Sequence, residues 1–139
     1  MSTQSAPSQA YRQGAVLAAG REQLVVMLYD GARRFLHKAA LAMRAGEIER
    51  AHITLRRAEM IIAYLDGTLD LEQGQVAERL NAIYSFCLRH LNKARLGQDA
   101  DMVEEVSELL GELREAWAQV AAGAGAQCCL LYTSDAADE

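Results

Sequence analysis

Apolar residues recur at helical spacing along most of the chain. Leu55, Ala58, Ile62 and Leu65 follow one another at three- and four-residue intervals, with Ile48 leading in. Val76, Leu80, Ile83, Cys87 and Leu91 make a second stripe. Met102, Val106, Leu109, Leu113 and Val120 make a third, with Trp117 beside its last turns. This spacing keeps the apolar side chains on one face of an α helix. Punctuation supports the reading. Gly46, Gly67 and Gly97 each lie just past a run, where a left-handed C-terminal cap is wanted. Asp70 with Gln73, and Asp101 with Glu104, fit the pattern in which side chains satisfy the free amides of a helix start. The predicted helices span 21–45, 47–66, 73–96 and 101–122, each about 30–37 Å long at ~1.5 Å per residue. Their connections are short, so neighbours should run antiparallel. The fold class is therefore all-α: an antiparallel up-down-up-down four-helix bundle over 10–122. Residues 10–19 form a short N-terminal helix or arm, and 1–9 are expected to be disordered.

The first long helix departs from the pattern. Within "QLVVMLYDGARRFL", Gln23 to Leu36, the run Leu24 to Tyr29 is apolar throughout. Val25, Tyr29 and Leu36 lie off the Leu24–Leu28–Phe35 line, which is expected to face the core. Ile61, Tyr84 and Leu110 are likewise off their stripes. Surplus apolar surface on a bundle suggests a groove for a partner helix, or a bed for another segment of the same chain. Both readings are open, because Ala10-Tyr11 and Val16-Leu17 can lie in that groove until displaced.

Composition narrows the function classes. The chain of 139 residues suits one domain with one core, and its single proline and 6% aromatic content favour helix over sheet. A net charge of −5 argues against a nucleic-acid binder. No apolar run reaches the ~20 residues of a membrane span. The N-terminus lacks a basic start and an apolar h-region, so the cytosol is the default location. Cys87, Cys128 and Cys129 have neither zinc spacing nor a disulfide framework. Cys87 and His90 are close enough on one helix to meet, yet nothing marks a positioning partner or oxyanion site, so a buried core cysteine beside a satisfied histidine is the expectation. His37, His52 and His90 fall on three different helices, without a metal-binding pattern. Neither a catalytic residue, a cofactor site nor a metal site is expected. "HLNK", His90 to Lys93, weakly resembles the histidine phosphotransfer motif, although Ala94 stands where that motif continues with Gly. Arg33, Arg34, His37 and Lys38 read as a solvated face, with Asp30 pairing to Arg33 or Arg34. Residues 123–139 read as a disordered tail. Its end, "CLLYTSDAADE" at 129–139, looks like the in-frame translation of a sequencing-library adapter and is set aside from the fold.

Five segments carry a resemblance to a known family. "AYRQ" at 10–13, "MLYDGA" at 27–32, "AEMIIAYLDGTLDLEQG" at 58–74, "AERLNAIYSFCLRHLNKA" at 77–94 and "VEEVSELLGELREAW" at 103–117 resemble, in order and spacing, the FliS family of flagellin export chaperones. The chain departs from that family's usual pattern at Gly20-Arg21, Gly74-Gln75 and Arg95. The resemblance implies a non-enzymatic cytosolic chaperone. It would bind the disordered C-terminal segment of flagellin in apolar grooves, prevent premature polymerisation and keep the cargo competent for type III secretion. The groove residues this implies are Tyr11, Val16, Val25, Leu28, Tyr29, Ile61, Leu65, Leu69, Leu80, Tyr84, Leu88 and Leu110. The flagellar export gate is a further partner on the same reading, with the chain a monomer or weak homodimer, no nucleic acid bound and no membrane insertion. A histidine phosphotransfer-like bundle and a helical adaptor for another cargo are the alternatives.

Overall fold

The computed structural model describes residues 20–123. Helices α1 (Arg21–Arg44), α2 (Ile48–Gly67), α3 (Gln75–Gly97) and α4 (Ala100–Ala122) account for nearly all of it. A 3-10 turn, Leu71–Gln73, precedes α3. No strand occurs among the described residues. The sequence-based bounds hold to within a residue or two. The expected disorder of 1–9, the arm with Tyr11 and Val16, and the adapter-like tail lie outside the described residues.

Cross-helix pairs fix the directions. Asp30 meets Arg114, Arg33 meets Ser107 and Arg44 meets Asp101, so numbering rises along α1 as it falls along α4. Glu59–Arg95 and Asp66–Asn81 relate α2 and α3 in the same opposed sense. Each helix packs on its chain neighbours and α4 closes the ring on α1. The α1 contacts with α4 and α2 are the closest, and the α3–α4 seam is the sparsest.

The faces that turn inward differ in part from those expected. On α2 the stripe Leu55, Ala58, Ile62 and Leu65 is buried as predicted, but Ile48 is exposed. On α1 the core side is Val25, Tyr29, Ala32, Leu36, Ala39 and Met43, while Leu24, Leu28 and Phe35 are only half-buried. The reason is continuity. The Leu24–Leu28–Phe35 line runs into Lys38, whereas the other line stays apolar over about five turns and can lie against the bundle axis throughout. Ala77 and Tyr84 take the places foreseen for Val76 and Ile83 on α3. Val103 and Leu110 replace Met102 and Leu109 on α4, in line with buried Trp117. Full burial of each large apolar side chain contributes roughly 1.5–3 kcal/mol. Tyr29 and Tyr84 reach across the core from α1 and α3 and share a hydroxyl–hydroxyl bond of 2.5 Å, which satisfies polar atoms that are costly to bury alone.

Two capping expectations are also corrected. Asp99, not Asp101, caps α4 by accepting from the amides of Asp101 and Met102. Of the three glycines expected at helix ends, only Gly46 takes a positive φ, 76°. At the end of α3 the left-handed residue is Gln98, φ 49°, with Gly97 still in the helix. Asp101 instead joins Glu104 in holding Arg44 across the α1–α4 seam, at 2.8 and 2.7 Å. The Arg44 guanidinium, by its hydrogen bond, holds the Glu104 carboxyl below the usual range. The support it gives is therefore present at neutral pH and is lost as the pH falls through that lowered value.

Candidate functional site

The four seams of the ring are not alike. Between α1 and α4 the join is polar along its length. Arg44 stands at one end, Arg114 grips Asp30 at 2.9 Å towards the other, and between them Arg33 Nε donates to the Ser107 carbonyl at 3.0 Å. The Arg33 guanidinium lies across Gly111, where an added Cβ would stand 2.9 Å from its central carbon. Asp30 is thus a cross-helix partner and not the local partner of Arg33 or Arg34 that its spacing suggested. The α2–α3 seam is likewise pinned, by Glu59–Arg95 at 2.6 Å and Asp66–Asn81 at 2.6 Å.

The other two seams show apolar side chains outward. Along α1–α2, Gly31 stands level with Ile61, and Phe35 with Arg57. That register puts Met27 and Leu28 level with Tyr64 and Leu65. Met27, Met60 and Tyr64 are each about half exposed or more, and Leu28 and Ile61 are half-buried against the core. Along α3–α4, His90 bonds Glu105 at 2.7 Å, which sets Phe86 level with Leu109 and Ile83 level with Leu113. Phe86 is 44% exposed and stacks on the His90 ring with 5.0 Å between centroids. This seam is the loosest of the four and its lining is aromatic and aliphatic.

Against this geometry the residues singled out from sequence divide three ways. Leu28, Ile61, Leu69 and Leu88 are half-buried and packed on the core, with edges still accessible. Val25, Tyr29, Leu65, Leu80, Tyr84 and Leu110 are enclosed in the core, between 0% and 6% exposed. The expectation that they face an open groove is corrected, because the continuous apolar lines of α1, α2, α3 and α4 pass through them. Tyr11 and Val16 lie outside the described residues. Sequence reasoning passed over Met27, Met60, Tyr64 and Phe86. Their signal was available: each is a large apolar residue on the polar side of its helix once the core line is chosen correctly.

Gly31 gives the α1–α2 seam its depth. A Cβ there would meet Ile61 Cδ1 at 3.5 Å, an ordinary contact. Gly31→Ala should therefore be tolerated, and can stabilise α1 by up to about 1 kcal/mol. Gly31→Leu must push Ile61 aside and should cost about 1–3 kcal/mol in urea melts. Equal stability of the two variants would show that the close approach is absent.

The candidate chemistry does not assemble. Cys87 is fully buried, and desolvation pushes its thiol up to about 11, so it is held as a thiol rather than a nucleophilic thiolate. His90, the histidine of the phosphotransfer-like motif, is engaged by Glu105 and covered on one face by Phe86. No cluster of three His, Cys, Asp or Glu side chains placed to hold a metal occurs among the described residues. No helix among them is long and apolar enough to cross a membrane.

Comparison with known proteins agrees with the segment-by-segment resemblance. The family model described as flagellar protein FliS matches residues 3–124. The flagellar secretion chaperone FliS of Salmonella typhimurium is 37% identical over 117 residues, covering 83% of this chain and 87% of that protein. The chaperone of the same name from Bacillus subtilis is 33% identical over 113 residues, covering 81% of this chain and 84% of its own length. That of Escherichia coli is 36% identical over 116 residues, with 79% and 85% covered. The relatives are named as chaperones and not as enzymes. With a bundle fold, two seams that present apolar side chains and a match that spans the bundle, the chain belongs to the FliS family of flagellar secretion chaperones.

Proposed function

We propose that this chaperone binds the C-terminal segment of flagellin in the cytosol, prevents its premature polymerisation and keeps it competent for type III export. The observation that carries the reading is the contrast between seams: two held by several polar bridges, and two with apolar side chains turned outward, of which α3–α4 carries the His90–Glu105 bridge. A disordered cargo segment gains helix by laying an apolar stripe on such surfaces. Its ordering costs about 2–5 kcal/mol of the interaction energy, so the surface must be long, and the two apolar seams flank opposite sides of the ring. The chaperone residues that contact cargo on this reading are Met27, Leu28, Ile61 and Tyr64 on one seam and Ile83, Phe86 and Leu109 on the other, with Tyr11 of the N-terminal segment as a further anchor. The export gate is a second partner, for the loaded complex.

The test is calorimetric titration of the full chain with a C-terminal flagellin peptide. Tyr64→Ala, Phe86→Ala and Tyr11→Ala should each weaken binding by about 1–3 kcal/mol, the range of a truncated interface anchor. Their urea midpoints should stay close to wild type. Failure of the wild-type chain to bind the peptide at all ends the proposal. Unchanged affinity in the Tyr64 and Phe86 variants moves the cargo off these seams.

A further inference from the structure

We infer that the α1–α2 seam below Gly31 is a second docking site, separate from the cargo surface, for an acidic protein segment that carries an apolar anchor residue. The seam changes character at Phe35. This ring is half-buried, with the Lys38 ammonium 6.0 Å and the Arg57 guanidinium 5.9 Å from its centroid, one from each helix. Both cations are on exposed residues. Below the ring a concavity of ≈ 810 Å³ opens between the helices, with Leu41 and Ile53, each about half exposed, on its walls. Lys38 also borders a second hollow, which continues around α1 past Arg34 and His37 to Arg33.

The charge is what selects the partner. The chain as a whole carries −5, yet Arg34, His37, Lys38 and Arg57 form a basic band across α1 and onto α2. Among the described residues the one carboxylate lining the second hollow, Asp30, is occupied by Arg114. At the far end of the concavity stand Glu47 and Glu49, the former 3.6 Å from Arg50, so the positive potential lies at the Phe35 end. An acidic side chain meets Lys38 and Arg57 only where an apolar neighbour can settle on Phe35 between them. That pairing describes an acidic–apolar peptide. A nucleic acid has no aliphatic anchor to offer the Leu41–Ile53 walls and is repelled by the rest of this acidic surface. Charges at such a rim act mainly on partner selection and association rate.

The experiment uses two fluorescein-labelled peptides of about 14 residues, one with a central Leu-Trp pair flanked by Glu and its twin with Lys for every Glu. Each is titrated into the full chain by anisotropy at low and high salt. The Glu peptide should bind, and the Lys peptide should be at least ~10-fold weaker. The double variant Lys38→Glu/Arg57→Glu should lose at least ~10-fold for the Glu peptide, equivalent to ~1.4 kcal/mol, and gain for the Lys twin. Both substituted positions are exposed, and thermal melts check that the variant stays folded. Leu41→Ser should weaken the Glu peptide without changing its salt dependence. The inference is overturned by a double variant that binds the Glu peptide as wild type does. It is equally overturned by a 20-nucleotide single strand that binds as well with the same variant sensitivity, or by a concentration-dependent dimer that the same substitutions abolish. Competition by the C-terminal flagellin peptide overturns it as well, because the site is then part of the cargo surface. Co-binding of both peptides supports it, and loss of flagellin binding alone bears only on the chaperone proposal.

Discussion

Tyr84→Ala should cost about 3–5 kcal/mol of folding stability, the range for removing a large aromatic ring from a packed core. Tyr64→Ala, the same change at an exposed position, should stay within about 0.5 kcal/mol. Tyr84 is wholly enclosed, on the α3 line between Leu80 and Cys87, and its hydroxyl meets that of Tyr29 from the diagonal helix. Its removal empties the centre of the ring and strips the Tyr29 hydroxyl of that bond, so cavity and polar costs act together. Tyr64 is 56% exposed and leaves no cavity. The margin of a domain this size is about 5–15 kcal/mol, so the Tyr84 variant should melt at far lower urea, with its denaturant slope unchanged. A Tyr84→Ala protein that melts like wild type but no longer holds flagellin peptide would return this tyrosine to the groove, as its off-stripe position in the sequence first suggested.

The two tyrosines show where the sequence was readable and where it was not. The existence, length and antiparallel order of the helices depend on local periodicity and short connections, which are written in consecutive residues. Which way a helix faces is a choice among competing lines. In α1 both the Leu24 line and the Val25 line are apolar at the start, and only the arrival of Lys38 on one of them, about four turns on, decides the rotation. The error propagates, because a rotation of α1 exchanges core and groove along the whole seam. Polar partners fail for a related reason. Spacing offered Arg33 and Arg34 to Asp30, but its partner is Arg114, on a different helix. Asp99 and Asp101 compete for one cap from two positions apart, and the geometry of the short α3–α4 connection, through left-handed Gln98, selects the earlier. The family was legible in full because its segments keep their order whatever face each helix turns. Of the candidate groove residues, Leu28, Ile61, Leu69 and Leu88 are the ones that stay half-buried and so keep edges a partner can reach.

Glu59→Ala should destabilise the bundle more than loss of Asp30 or Glu104, the carboxylates of the other cross-helix arginine pairs, by about 2–3 kcal/mol. In the Glu59–Arg95 pair the side chains are 17% and 20% exposed, against 38% and 30% for Asp30 and Arg114, and 46% and 43% for Glu104 and Arg44. The 2.6 Å bond is the main compensation for taking the Arg95 guanidinium out of water, and its Nε is already buried with no hydrogen-bond partner among the described residues. Removing the carboxylate leaves the cation largely desolvated, with only the bond from its Nη1 to Asn92 Oδ1 at 3.1 Å in compensation. A fully buried pair broken this way loses about 3–5 kcal/mol, and the residual exposure of both groups lowers that figure. The more exposed pairs should lose about 0–1 kcal/mol each. The double replacement Glu59→Met/Arg95→Met removes both charges and keeps the volume, so it should recover most of the loss and lie within about 1 kcal/mol of wild type. Urea melts of the two single variants and the double variant give the coupling directly. A Glu59→Ala variant no less stable than Asp30→Ala would mean that the Arg95 guanidinium finds water once its partner is gone. The α2–α3 seam would then open as readily as α3–α4, and the contrast between pinned and open seams would fail as a guide to where cargo binds.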